Sequence, residues 1–538
     1  MSELDSSAKA ISNPPDPARI MDGLRDTGYD FNTAVSDIID NSIAADATEI
    51  YVRVEADPNM NVTITIADNG IGMDYDGLKN AMKYGSDKRP DAKSLGKFGL
   101  GLKTASTAFC KKLSVVSRPA AGADALKVCW DLDFISKMND WSLLVPEATD
   151  DDLDLLDQAA KGDSGTVVIW ENIDRLFRRS YSSPAFARKA LDKFISGLRD
   201  HVELVYQRFL DRRFSDVQDV RIWLNDEEVK PFDPFCTDED KTALLQNCIL
   251  EIEGTPASLD VKAYLLPRKD EFSTKEAAAR SRLGNDTQGF YVYRENRLIY
   301  FGNWMGMFKN EPHFSLLRVE VSFNHLADDY LNVDIKKSRI LFDQSIYDTL
   351  QKTFLPAPRR QAEQRYRQGT IAAVNKTGKA PHDAANKTIE SKAPHAESFK
   401  TTILDESNNQ VRVDNKNGSV VTRIKIRGSE DGAMRVIPVE SIEYNALWNP
   451  VIADGRHAVE LNMSHPYYQK VYYPLLGRPT SITGLDALFW SLAEAEFGSF
   501  TQDSKEFFED MRLGTSRNLS KLIADLPDPD VSDEDPEA

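Results

Sequence analysis

Asp37 and Asn41 stand four residues apart in the run FNTAVSDIIDNSIAADA (31–47), where Val35, Ile38, Ile39, Ser42 and Ile43 recur at helical spacing. One turn of helix therefore places a carboxylate and a carboxamide on a common polar stripe, away from the apolar residues. An Asn oxygen suits Mg²⁺, which takes oxygen ligands and shares them with phosphates. An aspartate one turn earlier suits the polarisation of an attacking water. Downstream, Asp68-Asn69-Gly70-Ile71-Gly72-Met73 ends an alternating segment with an acceptor and two glycines. Such a turn can accept from an amino group on a flat base while its backbone passes close beside the ring. The run Gly96-Lys97-Phe98-Gly99-Leu100-Gly101-Leu102-Lys103 then opens a helix. Amides at a helix start face anions favourably, and a lysine adds a full positive charge. Magnesium ligand, water-orienting group, base partner and phosphate cradle are together what binding ATP requires.

Each of these signals is weak alone, and their order gives them weight. A polar helix is followed by two strands, EIYVRVEA and NVTITIAD, separated by the turn-forming DPNMN, then the acidic glycine turn, then the glycine run, then Gly165-Thr166 on a later strand. Neither G-x-x-x-x-G-K-[ST] nor a strand followed by G-x-G-x-x-G occurs, so the P-loop and dinucleotide-fold readings lack their defining residues.

In this order, DIIDNSIAADAT resembles the helix motif of the GHKL ATPases, ADNGIGM their adenine-binding turn and GKFGLGLKTAS their phosphate lid. LNVDIKKSRILF (331–342) resembles the transducer segment of MutL-type proteins, and GFYVYRENRLIYFG (289–302) a segment of MORC proteins. The resemblance covers roughly residues 20–345. It implies that Asn41 binds Mg²⁺, that Asp68 meets the adenine with Gly70, Gly72 and Met73 beside it, and that Thr166 supports Asp68 through water. It further implies that Gly96, Gly99, Gly101 and Lys103 hold phosphate and that Lys337 senses the γ-phosphate from the second domain.

Two positions depart from the family. Asp37 stands where the family usually has glutamate, withdrawing the carboxylate by one methylene, and Ala44 stands where MutL-like sequences usually have aspartate. A misplacement near 1 Å can cost roughly a hundredfold in rate. Slow hydrolysis of ATP to ADP and phosphate is therefore expected, with Asp37 as the catalytic residue.

The elements that must position these groups predict an α+β fold: a GHKL (Bergerat) ATPase sandwich, a transducer-like α/β domain and a C-terminal α/β region. The expected divisions are an N-terminal segment at 1–20, the ATPase domain at 21–180, the transducer-like domain at 181–355, a basic linker at 356–400, a C-terminal domain at 401–526 and an acidic tail at 527–538. KVCWDLDFI and SGTVVIWENI read as further strands, giving a sheet with helices on one face. RIWLNDEEVKPFDPF, GFYVYRENRLIY and VRVDNKNGSVVTRIKI read as hairpins, the last turning at Asn417-Gly418. LDALFWSLAEAEF reads as a helix with a buried face. The tyrosine-rich AVELNMSHPYYQKVYYPLL is either a partner surface or packed core.

Composition bounds the rest. With 538 residues, 41% hydrophobic and 28% charged, the chain suits several soluble domains. No apolar run approaches the roughly 18–20 residues needed to span a bilayer, and residues 1–20 do not read as a secretory signal. A cytoplasmic protein is expected. Cys110, Cys129, Cys236 and Cys248 form no C-x-x-C pair and read as reduced thiols. A formal charge of −19 opposes nonspecific attachment to nucleic acid, but residues 356–400 carry nine Lys and Arg against four Asp and Glu.

The resemblance implies an ATP-dependent homodimeric clamp acting on DNA with a partner nuclease or helicase, in prokaryotic genome defence or maintenance. The MutL endonuclease motif is absent, so the chain is not expected to cut DNA. Two alternatives stand beside it: an HtpG-like ATP-driven chaperone, which the acidic charge favours, and an ATP-sensing scaffold with little turnover, which Asp37 suggests.

Overall fold

The structure is a computed structural model that describes residues 16–26, 28–84, 101–177, 184–252, 254–328, 330–331, 342–377, 380–397, 399–415, 418–428, 434–476, 478–498, 502–524 and 526. Gly96, Gly99, Lys337, Asn417, the stretch 85–94, most of 329–342 and the acidic tail lie outside them. Helices and strands mix along the described chain in an α+β arrangement.

The first part comprises α1 (Pro17–Arg25), α2 (Phe31–Ile43), β1 (Glu49–Ala56), β2 (Val62–Asp68), α3 (Tyr75–Met82), α4 (Gly101–Thr107), β3 (Cys110–Arg118), β4 (Leu126–Asp131), α5 (Leu132–Met138), α6 (Asp150–Ala160), β5 (Gly165–Ile173), α7 (Pro184–Val205), α8 (Gln207–Leu210), β6 (Arg221–Leu224) and β7 (Glu227–Glu228). Its strands form one seven-stranded sheet in the order β4-β3-β5-β2-β1-β6-β7. The two-residue period of the strands divides the core. Ile64, Ile66, Val168 and Trp170 face a large cluster with Val35, Ile38 and Ile39 of α2. Ala67, Val167 and Ile169 face the other way, against Leu156, Ala159 and Ala160 of α6. Helices thus cover both faces, where the sequence predicts one. The acidic run that opens α6 conceals its apolar stripe; Thr149 and Asp152 close that run into a capping box. KVCWDLDFI also departs from a single strand: the Asp131 side chain accepts from the Phe134 amide at 3.0 Å and starts a helix there.

A second sheet, ordered β11-β10-β12-β9-β8, follows. Its elements are β8 (Ala243–Glu251), β9 (Ser258–Leu265), α9 (Lys275–Arg280), β10 (Gly289–Arg294), β11 (Arg297–Asn303), β12 (Leu317–Phe323), α10 (Gln344–Thr349) and α11 (Pro356–Thr377). Glu295 and Asn296 turn the β10–β11 hairpin with φ of 46° and 68°.

The stretch 356–400, expected as a basic linker, is mostly helical, formed by α11 and α12 (Asp383–Ala396). Its helices are anchored by a few buried side chains: Ala362 joins the second core, and Ile389 and Ala393 join a third. That third core lies among β13 (Lys400–Asp405), β14 (Gln410–Asn415), β15 (Gly418–Arg423), β16 (Ile426–Arg427), β17 (Val436–Val439), β18 (Trp448–Ala453), β19 (Arg456–Asn462), α13 (Pro479–Phe497) and α14 (Gln502–Leu522). β14 and β15 pair as the expected hairpin. Tyr468, Tyr472 and Tyr473 are buried in this core. Of the two readings of the tyrosine-rich segment, packed core is the one seen for these three side chains. Among the described residues, no helix is long and apolar enough to cross a membrane.

Candidate nucleotide site

Helix α2 begins where Asp30 accepts from the Asn32 and Thr33 amides. It buries its apolar stripe on the sheet and carries Asp37, buried, and Asn41, half-buried. The Tyr29 hydroxyl donates to Asp37 Oδ2 at 2.9 Å, which fixes the rotation of the carboxylate. The start of α4 lies against the same group: a Cβ on Gly101 would sit 3.6 Å from Asp37 Oδ2. The structure therefore joins Asp37 and Gly101, which are separated in sequence by the whole β1–β2 hairpin and α3.

Asp68 ends β2 and is buried. Ser42, one residue beyond Asn41, donates its hydroxyl to Asp68 Oδ2 at 2.7 Å, and the Gly70 amide donates to Oδ1 at 3.0 Å. Burial pushes the Asp68 carboxyl above its usual range, and the Ser42 and Gly70 bonds act against that push. A carboxylate offers about four acceptor positions. With the Thr166 backbone as a third donor, acceptor capacity remains for one exocyclic amino group.

The turn after Asp68 explains both glycines. A Cβ on Gly70 would stand 2.7 Å from the Ala45 carbonyl oxygen, and Gly72, at φ +64°, lies against the Arg118 carbonyl so closely that a Cβ would overlap it. Ser117 on β3 binds this turn to β5. Its hydroxyl accepts from the Met73 amide at 2.8 Å and lies 2.8 Å from Thr166 Oγ1. Thr166 is paired in register with Asp68. Asp68, Gly70, Gly72, Met73 and Thr166 thus form one connected group.

Lys103, on α4, is buried beside α3. Its ammonium donates to the Ala81 carbonyl of α3 at 3.0 Å, and burial pulls its pKa down to about 8.

Ser42, Ser117 and Tyr29 are the contributors that sequence reasoning missed. Ser42 had a signal: it is the one polar member of the apolar stripe Val35, Ile38, Ile39, Ser42, Ile43. A polar residue on a core-facing stripe requires a buried partner. Ser117 and Tyr29 carry no local signal, because their partners are brought by tertiary pairing.

The donor set fits a magnesium-bound nucleotide: a carboxamide and a carboxylate share the helix, and a buried carboxylate with backbone-tight glycines forms the adjoining turn. Residues 29–166 match the profile of the family described as histidine kinase-, DNA gyrase B-, and HSP90-like ATPases. This segment is a GHKL-type ATPase domain.

Two curated relatives are similar to part of the chain. The chaperone protein HtpG of Idiomarina loihiensis is 33% identical over 104 residues, 17% of this chain and 16% of the relative. ATPase MORC2B of Mus musculus is 38% identical over 77 residues, 14% of this chain and 8% of the relative. The chain thus spans well under a quarter of the length of either relative. Among solved structures, the crystal structure of the N terminal domain of a DNA repair protein matches over 64% of this chain and 98% of that chain, at 18% identity and a TM-score of 0.39.

Proposed function

We propose that the protein is an ATP-dependent dimeric clamp of the MORC and MutL kind, acting on DNA with partner proteins such as a nuclease or helicase in genome defence or maintenance. The observation that carries this reading is the Ser42–Asp68–Thr166 connection, which ties the helix bearing Asp37 and Asn41 to the base-binding turn. ATP binds with its adenine amino group on Asp68 and its phosphates toward the start of α4. Mg²⁺, held by Asn41, supplies charge neutralisation at the phosphates. Asp37 takes the proton of the attacking water, its carboxylate held by Tyr29. One methylene short of glutamate, it turns over slowly. Gly96, Gly99 and Lys103 line the phosphates, and Lys337 reaches the γ-phosphate when the second unit closes. A ligand that binds the closed dimer better than the open one drives closure by that difference in affinity.

DNA contact falls to exposed basic residues of the 356–400 stretch. Arg359 and Arg365 are already engaged, Arg359 among Trp304, Phe308 and Phe314 and Arg365 with Glu271. Arg360, Lys387, Lys392 and Lys400 are exposed. The HtpG likeness and the net charge of −19 support a second reading, an ATP-driven chaperone on protein clients. ATP turnover and sedimentation of the full chain, with and without duplex DNA at several salt concentrations, separate the two. A clamp on DNA dimerises with a non-hydrolysable ATP analogue and is retained on DNA in a salt-dependent way. A chaperone suppresses client aggregation and ignores DNA.

A further inference from the structure

Between Asp37 and Asn41, on the same helix, Asp40 points away from solvent at 1% exposure. Its carboxylate is met from outside the first sheet. Arg297, the first residue of β11 in the second sheet, donates Nε to Asp40 Oδ1 at 2.7 Å, and the Tyr206 hydroxyl donates to the same oxygen at 2.8 Å. The Tyr206 hydroxyl also lies 2.8 Å from the Ser36 carbonyl, so the helix is gripped at two levels. His201 completes the surroundings, with Nε2 3.1 Å from Ser36 Oγ. Burial first, and then Arg297, pulls its pKa down to about 4, so Asp40 and Arg297 face each other without a competing imidazolium.

The ion pair belongs to a larger junction. Arg208 of α8 lies 3.8 Å over the Tyr293 ring of β10 and pairs with Glu320 of β12 at 2.8 Å. Leu204, Phe232, Tyr291, Tyr293 and Leu298 pack around it. Both partners of the Arg297–Asp40 pair are almost fully buried, at 5% and 1% side-chain exposure. Breaking a buried pair by removing one partner leaves an uncompensated charge, so the two elements move together.

We infer that Arg297 is a positioning residue for the nucleotide site: through Asp40 it sets the placement of Asp37 and Asn41, and it carries the nucleotide state of α2 into the β10–β11 hairpin. This rests on the proposed ATP site. A purely adhesive contact would be satisfied anywhere along α2, whereas this one falls one residue before the proposed metal ligand and three after the proposed base. Any rotation of α2 that adjusts those groups to a triphosphate displaces Asp40 Oδ1 and pulls on Arg297.

Hydrogen exchange of the full chain, with and without the magnesium complex of a non-hydrolysable ATP analogue, tests it together with steady-state kinetics. In the native chain, the analogue should change protection across 289–303. Arg297→Lys keeps the charge and loses the planar fork. It should bind the analogue with affinity within about threefold of native, lose the change at 289–303 and lower kcat about tenfold with KM little altered. Tyr206→Phe, a milder change that removes one donor to the same oxygen, should lower kcat about threefold in the same pattern. A change at 289–303 that survives in Arg297→Lys with native kcat overturns the inference, as does a native chain that binds the analogue without any response there. A native chain that fails to bind the analogue overturns the ATP site itself.

Discussion

The Ser42 hydroxyl and the Asp68 carboxylate are joined across 2.7 Å, so the helix carrying the proposed magnesium ligand and the turn carrying the proposed base partner form one rigid unit. Pre-positioning of this kind matters because a group that binds a flat base must hold its direction before the ligand arrives.

Asp68→Asn replaces an acceptor by a group that also donates and should weaken ADP binding roughly 10- to 100-fold. Ser42→Ala removes one of the bonds that hold the carboxylate and should cost less, roughly three- to tenfold. Isothermal calorimetry with ADP orders the two. A larger loss in Ser42→Ala would place the base contact elsewhere.

Gly72 and Gly122 both occupy left-handed backbone, at φ +64° and +73°, yet their surroundings differ. A Cβ at Gly122 meets nothing within 4 Å, while one at Gly72 collides with the Arg118 carbonyl. Gly122→Ala should cost about 1 kcal/mol from backbone strain alone. Gly72→Ala should cost about 3 kcal/mol or more and also lower nucleotide affinity, because the turn must shift. Thermal denaturation of both variants, followed by nucleotide titration, checks this; equal costs would mean that the turn has room to move.

Lys103 gives a pH signature. Its folded pKa, about 8, lies below the unfolded value near 10.5, so between these two values the unfolded chain binds more protons. The penalty for burying the cation is fully present below about pH 8 and fades as pH rises toward 10.5. Stability should therefore rise with pH across this window by more in the native chain than in Lys103→Met. Denaturant titrations of the two chains at pH 7.5, 9 and 10 measure the difference. Parallel curves would mean that burial of Lys103 does not set this pH dependence.

Asp37→Glu restores the arm length usual in the family. Turnover should be preserved or raised, by up to roughly a hundredfold if the missing methylene limits the reaction. A phosphate-release assay at saturating ATP reports it. A sharp loss of turnover would show that the Tyr29–Asp37 geometry, 2.9 Å between hydroxyl and carboxylate, is already adapted to aspartate.

Much of the geometry of the candidate site is legible in the sequence because its parts are local. The alternation in EIYVRVEA and NVTITIAD gives β1 and β2 to within a residue, and the DNGIG turn follows from the need for glycines where backbone meets backbone. What is not legible depends on distance or on ambiguity. Leu132 to Ile135 are as apolar as a strand, and only the cap at Asp131 turns them into a helix. Arg297 meets Asp40 across 257 positions, and nothing near either residue marks the pair. The helices within 356–400 escape notice because alanines supply several of their buried contacts, which leaves little hydrophobic periodicity.

In the proposed site, Asn41 helps to hold a magnesium-bound triphosphate in a pocket completed by Asp68. Calorimetric titration of MgATP into the native chain and into Asn41→Ala tests it most directly. A saturable heat is expected for the native chain and none above dilution for the variant, with both chains equally folded by circular dichroism. Unchanged affinity in Asn41→Ala, or no heat from the native chain, would contradict it.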